Sequence, residues 1–214
     1  MKNKQKLLAI YSKLYARFGP RKWWPAETDF EVMVGAILTQ NTAWANVEKA
    51  ILNIKKEKAL SPKSFRDISL GRLKRLIRPS GFYNEKAKKL KSFTNFLFSS
   101  CKGRMDRLKL KNTRFLRKRL LEINGIGPET ADSMLLYALG KPVFVVDAYT
   151  KRIFSRHGMI KKYASYGEVQ DFFMNNLPTK RALYNEYHAL IVELGKRYCK
   201  KTKPLCNSCP LKDL

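Results

Sequence analysis

Leu120-Leu121-Glu122-Ile123-Asn124-Gly125-Ile126-Gly127-Pro128-Glu129-Thr130-Ala131 is the stretch that decides how this chain folds. A basic helix carrying Arg114, Arg117, Lys118 and Arg119 runs into it, and a second helix leaves it at Pro128. Gly125 and Gly127 permit a tight turn and a close approach of backbone. The N–H groups that open the second helix, together with the bare glycines, form a seat suited to a phosphate. Gly125, Ile126, Gly127 and Thr130 are therefore candidate contacts to a nucleic-acid backbone, and nothing in such a seat reads a base. Plain turn geometry is the other reading, since glycine is common at helix junctions.

Outward from the hairpin, apolar residues recur with the helical period through most of the chain. Thr28, with Glu31 three residues on, has the pattern of a capping box before Phe30, Met33, Val34, Ile37 and Leu38. Thr42 is placed to cap the next helix, Ser61-Pro62 and Ser69 open two more, and Pro79-Ser80-Gly81 is a stop. Further helices read over 85–99, 112–122, 128–139, 148–157 and 181–198, and Ser165 with Glu168 makes a second capping box. The only extended run is Pro142 to Val146. These elements predict an all-α fold with short loops. No glycine–serine linker divides the chain, and no internal repeat is visible.

The chain has 214 residues and is 44% hydrophobic, enough for one or two domains with a real core. Lysine and arginine total 44 against 17 acidic residues, a net charge of +27. That imbalance disfavours an ordinary enzyme of small neutral substrates and favours a polyanionic partner, nucleic acid or an acidic membrane surface. A merely solvated, lysine-rich surface is the bland alternative. No 18-residue apolar run exists, so no membrane span is expected. The basic start, Met1 to Lys6, leads into a mixed stretch that does not read as a signal peptide, and a cytoplasmic location is expected. In a reducing compartment the crowding of Cys199, Cys206 and Cys209 suggests metal or cluster ligation rather than disulfides. Zinc remains open on the residues alone.

Twenty residues after Gly127 comes Asp147, delivered by the apolar run and followed at once by a helix. It reads as an N-cap. A capping carboxylate is held ionised and fixed in direction, which is also what an electrostatic catalyst needs. His157 and His188 read as a helix-end dipole partner or core residue, and neither is given a catalytic role.

From Trp23 to Leu214 these motifs together resemble the helix-hairpin-helix DNA glycosylases of the endonuclease III superfamily. Leu120 to Ala131 resembles the family's DNA-binding hairpin, and Phe144-Val145-Val146-Asp147 its strand and aspartate. Leu38-Thr39-Gln40-Asn41-Thr42 resembles the segment that supplies a glutamine to the DNA interface. The resemblance implies a six-helix barrel over 23–135 and a second domain joining 1–22 to 136–214, with double-stranded DNA bound across the cleft between them by a monomer. It implies that Gln40 and Asn41 meet DNA, Gln40 filling the gap left by a flipped base, unless the glutamine only makes a buried helix-end hydrogen bond. Cys199, Cys206 and Cys209 resemble the first three ligands of the family's [4Fe–4S] cluster, spaced C-x6-C-x2-C-x5-C. The fourth would fall at position 215, just past Leu214, so either the sequence stops one residue short or the site is incomplete. Lys200, Lys201 and Lys203 lie between the first two cysteines and are expected to touch phosphates.

Strand-cutting members of the family carry a lysine in the helix after the hairpin, whose amine attacks the sugar to form a Schiff base. The matching residue here is Glu129, which cannot form an imine. The resemblance therefore implies a monofunctional enzyme without lyase activity, with Asp147 stabilising an oxocarbenium-like sugar and directing water. Trp23-Trp24-Pro25, Gln40-Asn41-Thr42, Arg78 to Asn84 and Glu129 look most like a subgroup of small bacterial 3-methyladenine DNA glycosylases, although that subgroup lacks the cysteine cluster. Trp23, Trp24, Pro25 and Glu129 are the expected base pocket, since aromatic faces attract a cationic alkylated base. Packing between domains is the alternative for the two tryptophans, and Trp44 is expected in the core or a pocket wall. The rival functions are a mismatch thymine/uracil or oxidised-pyrimidine glycosylase, a non-catalytic DNA-binding module, and an RNA-binding protein, for which no stacking platform is visible.

Overall fold

The computed structural model describes residues 3–214; Met1 and Lys2, part of the basic start on which the signal-peptide reading falls, lie outside them. Twelve α-helices order the described residues: α1 (Asn3–Phe18), α2 (Asp29–Leu38), α3 (Trp44–Lys56), α4 (Pro62–Asp67), α5 (Leu70–Ile77), α6 (Tyr83–Cys101), α7 (Met105–Lys109), α8 (Thr113–Leu121), α9 (Pro128–Ser133), α10 (Ala148–Arg156), α11 (Tyr166–Asn176) and α12 (Arg181–Arg197). No strand occurs among the described residues, so the all-α expectation holds. None of these helices is long and apolar enough to cross a membrane.

Local chemistry sets the helix starts. Ser61, Ser69, Asn112 and Ser165 each accept a first-turn N–H, and Ser165 with Glu168 completes the reciprocal box. Thr28 accepts from Glu31 N at 3.1 Å, but the Glu31 carboxylate takes Glu27 N instead of the cap's own amide, so that box is half formed. Thr42 does not cap α3. Asn41 turns left-handed, with φ of 51°, and the helix starts one residue later behind Ala43, which has no side-chain acceptor.

Two compact units make up the chain: residues up to Trp23 together with Pro142–Leu214, and Trp24–Lys141. The sequence reading drew the second boundary at 135. It falls later because α9 runs directly into a π-helical turn, Met134–Ala138, whose residues are all buried. In the 24–141 unit α2 is central: every residue from Phe30 to Leu38 is buried, as for a helix apolar on all sides. Phe30 meets Phe65 edge-on at 5.1 Å and Phe93 at 6.4 Å. In the other unit α12 packs on α1 and α10. Phe144 stacks on Phe173 at 4.0 Å, and Tyr187 Oη donates to Leu7 O at 2.8 Å. The run Pro142–Val146 pairs with no strand. Side chains satisfy it instead, Gln170 Nε2 donating to Phe144 O (2.7 Å) and Val146 N to Tyr166 Oη (3.4 Å).

Candidate functional site

The hairpin joins α8 to α9 through Glu122–Gly127. Arg117 on α8 makes a bidentate pair with Asp132 on α9, at 2.7 and 3.0 Å, and Asp132 is fully buried. This fork fixes the angle between the helices. Gly125 has φ of 82°, and an added Cβ would stand 2.5 Å from Lys89 Cε. Gly127 is extended (φ −89°), and a Cβ there would meet nothing within 4 Å. Ala131 N donates to Gly127 O at 2.9 Å, the first main-chain bond into α9.

Two residues expected at the phosphate seat are placed otherwise. Ile126 is 4% exposed and its N–H donates to Ile123 O (3.0 Å), which makes it a core residue. Thr130 is buried, its hydroxyl accepting from Gln40 Nε2 at 2.9 Å. Gln40 also donates to Gly125 O (3.1 Å) and accepts from Lys89 Nζ (2.6 Å). The glutamine therefore ties the end of α2 to the hairpin, while its neighbour Asn41 is exposed. Lys86, one turn from Lys89 on α6, is buried and donates to Leu38 O (2.8 Å) and Ser80 O (2.6 Å). Burial, helped by the Lys89 charge, pushes its ammonium down to about 8. Neither lysine was singled out from sequence, where α6 shows only a mixed basic face.

Within the 24–141 unit a cavity of about 240 Å³ opens beside α2 and α3. Its lining is Trp24, Pro25, Glu31, Gly35, Trp44, Glu48, Ile51, Leu52 and Lys55. The Trp24 indole lies on Gly35, crosses Trp44 at 5.2 Å and 84°, and leans on Tyr137 at 5.4 Å. Trp44 Nε1 donates to Glu48 Oε1 at 2.7 Å. Lys55 Nζ is 2.9 Å from both Glu31 and Glu27. Burial works against the Lys55 charge, but the two carboxylates outweigh it and hold its pKa above the ordinary value. Of the expected pocket residues, Trp24 and Pro25 line this cavity; Trp23 and the exposed Glu129 do not. Trp44 is its second aromatic wall.

In the other unit Asp147 caps α10. Its Oδ1 accepts from Thr150 N (2.7 Å) and Thr150 Oγ1 (2.8 Å), and its Oδ2 lies 3.6 Å from His188 Nε2 on α12. Burial alone would raise the pKa; His188 and Thr150 outweigh it and hold the carboxyl below the usual range. Asp147 is thus an ionised, directed carboxylate at neutral pH, whose side chain is 11% exposed.

Lys200, Lys201 and Lys203 are exposed on the loop after α12, where Arg156 holds Lys200 O (2.8 Å) and Lys201 O (2.9 Å). Arg156 also donates to Cys199 Sγ (3.3 Å), and Leu211 N to Cys209 Sγ (3.5 Å). Cys199 is buried, Cys209 half-buried and Cys206 exposed. Among the described residues no three metal-ligating side chains form a group able to hold an ion. As arranged, Cys199, Cys206 and Cys209 are not gathered as a ligand set.

Residues 34–179 match the HhH-GPD superfamily of base excision DNA repair proteins. The chain belongs to this family. A protein of Methanocaldococcus jannaschii named as a DNA repair glycosylase is 53% identical over 95% of this chain and 93% of its own length. Endonuclease III of Thermotoga maritima is 31% identical, covering 87% and 83%. The solved 3-methyladenine DNA glycosylase MagIII of H. pylori, bound to 1,N6-ethenoadenine, superposes with a TM-score of 0.79 at 31% identity, covering 92% of this chain and 98% of that one. The chain is accordingly a member of a base excision DNA repair family.

Proposed function

We propose that this protein is a monofunctional DNA glycosylase and releases an alkylated purine, 3-methyladenine or a close relative, from double-stranded DNA. The observation that carries the substrate reading is the cavity walled by Trp24 and Trp44. An alkylated adenine is cationic, and an indole face attracts a cation by about 0.5–1 kcal/mol when exposed and about 2 when desolvated. Glu31, Glu48 and Lys55 share the same walls; Lys55 is paired with Glu31, which leaves Glu48, among the described residues, as the carboxylate without a lysine partner there. The likeness to the H. pylori enzyme with its bound purine supports this reading.

In the reaction the C1′–N bond breaks and its electron pair leaves with the base, which neutralises the ring's positive charge. Asp147 faces the developing sugar cation, and its carboxylate orients the water whose oxygen adds at C1′ and accepts that water's proton. The target nucleotide has to leave the stack for this to happen. Glu129 offers no amine for an imine. Turn amides at Gly127 and Lys200, Lys201 and Lys203 supply phosphate contacts that carry no sequence information.

The endonuclease III relatives and a thymine/uracil-DNA glycosylase of Pyrobaculum aerophilum, 27% identical over 93% of this chain, favour a second reading, release of a mismatched or oxidised pyrimidine. Single-turnover release on a lesion panel separates the two. The expected result is release from methylated-purine duplexes, backbone breakage only after alkali, no adduct trapped by borohydride, and a loss of ~10²- to 10³-fold in Asp147→Asn. Release confined to G·T or G·U duplexes selects the second reading. Trapping by the unmodified protein refutes the water mechanism, and binding without release of any base leaves a DNA-binding module.

A further inference from the structure

The two oxygens of Asp147 have different surroundings. Oδ1 is spent on the helix cap, receiving both the Thr150 N–H and the Thr150 hydroxyl. Oδ2 has no part in the cap and faces the His188 imidazole at 3.6 Å, an ion-pair separation longer than a hydrogen bond. The cap pins Oδ1, and the freedom left is a pivot of the group about that oxygen by coupled rotation of χ1 and χ2. A second contact on the far oxygen narrows that pivot.

His188 is placed to be that contact. It sits on the 17-residue α12 between Tyr187, which is fully buried and bonded to α1 through Leu7 O, and buried Ala189. Tyr184, Leu190 and Ile191 around it are also fully buried, so the imidazole stands on an element that cannot shift independently of the core. Its side chain is 9% exposed and that of Asp147 is 11% exposed, and water screens such a pair far less than a surface one.

We infer that His188 is a positioning residue for Asp147: it holds Oδ2 and so aims the charge that acts on the sugar. This rests on the glycosylase reading with Asp147 as its carboxylate. His188 itself touches neither the sugar nor the base in this scheme. A displacement of about 1 Å at a reacting group can cost ~10²-fold, so a modest swing of Oδ2 is enough to register in the rate.

The test measures single-turnover base release, DNA affinity and thermal melting on the full chain for His188→Leu, His188→Gln, Asp147→Asn and the double variant His188→Leu/Asp147→Asn. The expected result is that His188→Leu loses about tenfold or more in release rate with affinity and melting near the parent. His188→Gln, which keeps a donor, recovers most of the rate. Adding His188→Leu to Asp147→Asn costs nothing further. A parental rate in His188→Leu alongside an inactive Asp147→Asn overturns the inference and leaves the glycosylase reading intact. A parental rate in Asp147→Asn removes the reading itself. Should His188→Leu not fold, the imidazole resonances of the parent serve, since the chain has only two histidines. Those of His188 are expected to move in Asp147→Asn while those of His157 stay. An unmoved His188 signal overturns the pairing.

Discussion

Gly35→Ala is the sharpest probe of the aromatic cavity, because helix propensity and packing pull it in opposite directions. Gly35 lies inside α2, where alanine is favoured over glycine by about 0.8–1.0 kcal/mol. The new methyl would stand 3.1 Å from Trp24 Cζ2 and 3.3 Å from Nε1, several tenths of an ångström inside the ~3.5 Å contact limit. The indole is braced by Trp44 and Tyr137, so relief requires it to move toward the cavity. Overpacking of this kind costs about 1–3 kcal/mol. The two effects leave a net loss of roughly 0–2 kcal/mol, or up to about 8 °C in Tm for a chain of this size. The expected phenotype is a shifted tryptophan emission, weaker saturation on methylated-purine duplex and unchanged affinity for undamaged duplex. Selectivity equal to the parent's, with the emission shifted, would show that Trp24 moves without affecting the base and refute the cavity as the base pocket. A loss above about 3 kcal/mol would show that the indole cannot yield, and would make its contact with Gly35 a structural one.

Three further outcomes test the rest of the site. Gly127→Ala meets open space, so the unfolding free energy should stay within about 1 kcal/mol of the parent while affinity for damaged and undamaged duplex falls together; affinity should also drop steeply with salt, and a flat salt profile would refute the phosphate account. Asp132→Ala leaves the Arg117 guanidinium, about one-third exposed, without its fork, and chemical denaturation should show a loss of about 2–3 kcal/mol, less than for a wholly buried pair; a loss under about 0.5 kcal/mol would show that the hairpin angle is set elsewhere. For the cysteine loop, the spacing of Cys199, Cys206 and Cys209 leads us to propose that a cluster draws the three thiols together as it binds, metal binding and loop folding being coupled; anaerobically purified protein should then absorb near ~400 nm and carry about four irons, and zinc without iron would exclude it.

Helix starts and the family hairpin were legible because each rests on local chemistry. A serine or asparagine one residue before a helix satisfies an orphan N–H whatever the rest of the chain does; Ser61, Ser69 and Ser165 cap as read, and Asn112, read as the first residue of its helix, caps it as well. Thr42 failed because a single left-handed residue, Asn41, shifted the register by one; asparagine tolerates a positive φ better than other side chains, but its presence alone does not say that it adopts one. The run before Asp147 has strand-like composition, but a strand needs a partner, and only tertiary structure reveals that Gln170 and Tyr166 serve it instead. Asp147 was read as a helix cap, and it caps α10. His188 was set aside, because its role depends on a residue 41 positions away on a different helix, a distance no periodicity reports.

The hairpin shows how two glycines of one motif come to have unlike duties. At Gly125 the positive φ and the Lys89 stem, which occupies the place a Cβ would take, both demand glycine for folding. At Gly127 neither demand exists: its φ is ordinary for any residue and an added Cβ would meet open space. The same contrast changes the reading of Gln40. To enter a DNA stack its amide would give up Lys89 Nζ, Gly125 O and Thr130 Oγ1. At roughly 1 kcal/mol for each neutral bond, and more for the charged one, that is about 3–4 kcal/mol to be recovered from contacts with DNA. Keeping those bonds costs nothing and holds α2 and α6 against the turn. The hairpin is therefore built by four helices, with Gln40 and Lys89 as its floor, and the edge left for the proposed phosphate contact narrows to Gly127 and the first turn of α9.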